Sequence, residues 1–63
     1  MTPQQVRSRV TAIDPADEGA AHSAEDLLWQ DTLAAIAAGA PKPRQLAGEA
    51  LATALLDFPR YCA

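Results

Sequence analysis

One cysteine, Cys62, and one histidine, His22, stand in a chain of 63 residues. That excludes an intramolecular disulfide and a tight zinc site supplied by one copy. Trp29, Phe58 and Tyr61 are the only aromatic residues. No lysine or arginine occurs from Asp14 to Pro41, and the five basic residues of the whole chain form no stripe. Binding to a phosphate backbone needs clustered Lys and Arg that release counterions, so nucleic acid is not an expected partner. The longest uncharged stretch, Thr32 to Pro41, falls far short of the roughly 20 residues of a membrane helix. The opening MTPQQVRSRV lacks the apolar run of a secretory signal. A reducing, cytoplasmic location is the expectation, with no membrane and no cofactor.

Alanine and acid fill the space instead. Fifteen residues are alanine, and the net charge is −3. Six acids (Asp14, Asp17, Glu18, Glu25, Asp26, Asp31) lie ahead of an alanine-rich apolar tail, while both flanks are mildly positive. An acidic segment of this kind repels nucleic acid and anionic lipid and favours basic protein surfaces. It also has a plain reading, as a solvated face plus favourable charge at a helix N-terminus. A chain this short forms one domain, residues 1–63, and buries few large apolar groups. Such chains gain stability from a second copy or a partner.

Three helices are expected. Thr2, Pro3 and Gln5 form a capping box with proline in the first helical position. The stripe Val6, Val10 and Ile13 carries that first helix to Ile13. Asp14-Pro15 breaks it, because the residue before proline avoids the α region. The second helix starts near Asp14 or at Ser23, and a continuous helix over Ala16–Ala38 is preferred, with Gly39 as terminator. At 100° per residue Trp29, Leu33 and Ile36 share one face, with Leu28 and Ala37 at its edges. A third helix spans Pro43–Ala54, and its Ala47, Ala50 and Ala54 would let another helix approach closely. Asp57 then caps a last turn holding Phe58, Pro59, Tyr61 and Cys62. The fold class is an all-α three-helix bundle with a short C-terminal helical turn. Its expected core is Val6, Val10, Ile13, Leu28, Trp29, Leu33, Ile36, Leu51, Leu55 and Phe58.

The run AAHSAEDLLWQDTLAAIAAGA and the closing DFPRYCA together resemble small orphan proteins of actinobacteria and their phages. The resemblance covers most of residues 20–63, with His22-Ser23 near the start of the central helix and an Asp57-Phe58-x-Arg60-Tyr61-Cys62 ending. It implies a small folded protein and no particular activity.

His22, Ser23, Glu25 and Asp26 are the only cluster of catalytic residue types. His22 and Asp26 are one helical turn apart and can pair. As an N-cap, Ser23 would have its hydroxyl occupied, and a body this small hardly encloses the pocket that nucleophilic catalysis requires. The chain is therefore not expected to be an enzyme. Trp29, Phe58 and Tyr61 are core residues or partner anchors, and Cys62 is a small buried hydrophobe. The functional expectation is a small acidic helical module that binds a protein, with Trp29, Phe58, Tyr61, Glu25 and Asp26 as contact residues. It is expected to be derived from a phage and to attach to a host protein or to itself as a homodimer. The alternative is a dimeric metal-binding or catalytic site centred on His22 with Glu25 and Asp26, two copies doubling the ligands.

Overall fold

The computed structural model describes residues 1–60. They form α1 (Pro3–Ala12), α2 (Glu18–Ala37), α3 (Pro43–Leu51) and a 3-10 turn (Ala52–Leu55), with no strand among the described residues. The chain is an all-α three-helix bundle. No helix among the described residues is long and apolar enough to cross a membrane.

Local chemistry sets each boundary. The Gln5 N–H donates to Thr2 Oγ1 at 3.2 Å and the Thr2 N–H donates to Gln5 Oε1 at 2.8 Å, closing the expected capping box. Ile13 leaves the helix in an extended conformation. The Ala16 N–H donates to Asp14 Oδ1, and the Asp17 N–H donates to the Asp14 carbonyl, so a turn separates α1 from α2. Asp17 then caps α2 by accepting from the Ala20 N–H. The start thus lies between the two expected ones, two residues inside Ala16. Gly39, at φ +89°, ends α2. Its N–H donates to the Ile36 carbonyl and that of Ala40 to the Ala35 carbonyl, the paired bonds of a Schellman cap. Lys42 takes a left-handed φ of 61° just before Pro43, which opens α3.

Two apolar clusters hold the bundle. Val6 and Val10 of α1 meet Leu28 of α2 and Leu46 and Ala50 of α3, with Met1, Ile36 and Leu56 packed at the edge. Ile13, Ala21 and Phe58 form the second. Arg7 reaches Glu49 with two hydrogen bonds of 3.0 and 2.7 Å, tying α1 to α3. Arg9 reaches Asp31 at 2.9 Å, tying α1 to α2.

The core differs from the expected one in four places. Trp29, Leu33, Leu51 and Leu55 are exposed, and Leu46 takes a fully buried place. On α2 the buried residues are Ala21, Glu25, Leu28 and Thr32. That stripe lies about 100° around the helix from the Trp29–Leu33 face. Alanine at position 21 lets Ile13 and Phe58 close in on α2, and Leu28 supplies the one large apolar side chain of the stripe. Two polar members complete it because both are satisfied, Thr32 by donating to the Leu28 carbonyl at 2.8 Å and Glu25 by an arginine. The last helical turn also lies earlier than expected. It spans Ala52–Leu55, and residues 57–60 carry no helix; Tyr61 and Cys62 lie outside the described residues.

Candidate functional site

The site is built where α2 passes α3. The Trp29 Nε1–H donates to Thr53 Oγ1 at 2.9 Å and to the Ala50 carbonyl at 3.1 Å. The indole is thereby fixed while the residue stays 40% exposed. Beside it runs a groove of about 230 Å³ lined by Trp29, Thr32, Leu33 and Ile36 of α2 and by Ala47, Ala50 and Leu51 of α3. Thr32 and Ala50 are buried, whereas Leu33 is 65% and Leu51 59% exposed. The groove therefore has a small, closed floor and large apolar rims.

A polar junction closes its end. Arg60 donates from Nε to Glu25 Oε1 at 2.9 Å and from Nη2 to Glu25 Oε2 at 3.2 Å. It also donates to the carbonyls of Thr53, Leu56 and Phe58, and its guanidinium carbon lies 4.0 Å from the centre of the Phe58 ring. These contacts strap residues 57–60 across α2 and hold Phe58 in the second cluster. Burial pushes the Glu25 carboxyl up, but the hydrogen bonds from Arg60 and the guanidinium charge outweigh it. The carboxyl sits below its ordinary value of 4.5. Glu25, Asp26, Trp29, Ala54 and Arg60 line a second depression next to the groove.

The expected contact residues separate accordingly. Trp29 and Asp26 are exposed on one face. Phe58 is 5% and Glu25 8% exposed, so both are largely covered within the chain. Tyr61 lies outside the described residues. His22 Nε2 lies 3.4 Å from Asp26 Oδ2, the expected one-turn pair, and its Nδ1 is buried with no hydrogen-bond partner among the described residues. Glu25 turns instead to Arg60, and no three His, Cys, Asp or Glu among the described residues are grouped as metal ligands. Sequence reasoning missed Thr53 and the rim residues Leu33 and Leu51. It named Arg60 only within the closing motif, although a lone base in the tail opposite an acidic helix was the available signal. Nothing in the sequence singles out Thr53.

Comparison with family models, curated proteins and solved structures finds no match. The class is therefore set by the fold, a small three-helix bundle, and by this groove.

Proposed function

We propose that the protein is a small protein-binding module that docks an apolar helix in the α2–α3 groove. The observation that carries the reading is the exposure of Trp29, Leu33 and Leu51 together on the rims of one groove. Grouped exposed apolar residues mark interaction sites, and tryptophan is favoured among the residues that dominate binding energy. A groove with small residues on its floor accepts the i, i+3, i+4, i+7 ridge of an amphipathic helix. The occupant is a host protein or a second copy of the chain. The resemblance to orphan proteins of actinobacteria and their phages supports a phage origin and adds nothing on activity. In this reading the protein does no chemistry, and the His22–Asp26 pair fixes the first turns of α2.

Titration of the nitrogen-15-labelled protein with an amphipathic helical peptide of leucine, alanine and lysine tests the groove. Shifts should appear first at the Trp29 indole N–H and at Leu33, Ala47 and Leu51, and should vanish in Leu33→Glu. Shifts centred on the outer face of α1, or an unchanged response in the variant, would contradict it.

A further inference from the structure

Building on the docking reading above, we infer that the occupant of the α2–α3 groove is a second copy of this chain, packed about a two-fold axis. Two observations carry the inference. The first is the balance of apolar residues. Of the five large apolar residues exposed among the described residues, Trp29, Leu33 and Leu51 line this groove and Leu27 and Leu55 lie outside it, while the core rests on few large side chains such as Val6, Leu28 and Leu46. A domain this small gains stability by covering such a face. A standard interface takes about 800 Å² from each partner, roughly a fifth of the 4224 Å² this chain exposes.

The second observation is charge. Asp26, Trp29 and Leu33 follow one another along the rim of α2 at spacings of three and four. Arg44, Ala47 and Leu51 repeat that spacing along α3, so each rim begins with a charged residue of opposite sign. The five-residue connection 38–42 makes α2 and α3 antiparallel neighbours. Asp26 therefore stands at one end of the groove, beside Ala54 and Arg60, and Arg44 stands at the other. Both residues are exposed, and the Asp26 side chain is 68% exposed despite its contact with His22. A two-fold axis that crosses the groove obliquely, perpendicular to the Asp26–Arg44 diagonal, exchanges both its ends and its rims. Asp26 of each copy then faces Arg44 of the other, and the pairing forms twice. The face is complementary to itself in charge.

Sedimentation equilibrium of the intact chain from 5 µM to 1 mM is the test. The expected mass rises with concentration toward twice 6.6 kDa. Leu33→Glu, at an exposed position, should weaken association at least roughly thirty-fold, and Leu51→Gln serves if that variant is poorly folded. Asp26→Arg and Arg44→Asp should each weaken it roughly five- to tenfold, because each change alters two symmetric pairs. Combined in one chain, the two should restore association to within about threefold of the parent. A 6.6 kDa species at every concentration would overturn the inference. So would a Leu33→Glu variant that associates as well as the parent, or a double variant no better than the single ones. A monomer that still binds the helical peptide at Trp29 overturns only the second copy. A monomer that also fails to bind it overturns the docking reading as well.

Discussion

Thr53, with none of its surface exposed, joins the groove to the tail. Its hydroxyl accepts from Trp29 Nε1 and donates to the Ala50 carbonyl, and its own carbonyl accepts from Arg60. Thr53→Val keeps the shape and removes the hydroxyl, which leaves the indole N–H with the Ala50 carbonyl alone. The expected cost is about 1–3 kcal/mol, read as a lower melting temperature. Glu25 sets a pH dependence through the same junction. Its folded value lies below the ordinary 4.5, so its stabilising effect is present above that value and is lost as pH falls through the folded one. The gap in melting temperature between the parent and Glu25→Gln should be widest near neutral pH and narrow below 4.5. A gap that stays constant from pH 7 to 3 would show that the Arg60 strap does not depend on the carboxylate.

Among the elements, α1 was the most legible, because its capping box, proline and apolar stripe agree with one another. The end of α2 was equally clear, since glycine before the Pro41–Pro43 stretch has one efficient conformation there. Gly39→Ala places a side chain at φ +89° and should destabilise the protein by about 1 kcal/mol, measurable by urea unfolding. The faces of α2 and α3 were not legible. On α2 apolar residues run around much of the circumference, while Leu46, Ala47, Ala50 and Leu51 spread over about 140° of α3, and alanine is neutral between core and surface. Periodicity then finds two apolar faces and cannot say which meets α1. The large residues pointed to Trp29 and Leu33, while the packing chose the side with Ala21, where a small residue admits Ile13 and Phe58. The same ambiguity hid Leu46. Leu46→Ala should cost about 2–5 kcal/mol, much of the stability of a chain this size. Leu55→Ala, at an 87% exposed position, should change monomer stability by less than about 0.5 kcal/mol. Thermal melts of the two variants side by side decide between this core and one built on Leu55.

At the scale of the whole molecule, the acids of the run are divided among different local partners. Asp14 and Asp17 hold turns and caps, Asp31 joins α1, Glu25 holds the tail, and Asp26 touches His22. Glu25 is the one buried acid of the run, while Asp14, Asp17 and Asp26 stay exposed as they make these local contacts. What the molecule presents outward is the apolar groove, with Asp26 at one end and Arg44 at the other. Trp29 is the single tryptophan and lies on that groove, so its fluorescence reports on the surface in question without a label. Quenching of Trp29 by acrylamide, followed as protein concentration rises from 1 µM to 1 mM, is therefore the most direct measurement. The quenching constant should fall as the groove becomes covered, and should stay at its dilute value in Leu33→Glu. A constant that does not change with concentration, or that falls equally in the variant, would contradict the assignment of this groove as the protein's docking surface for its own kind.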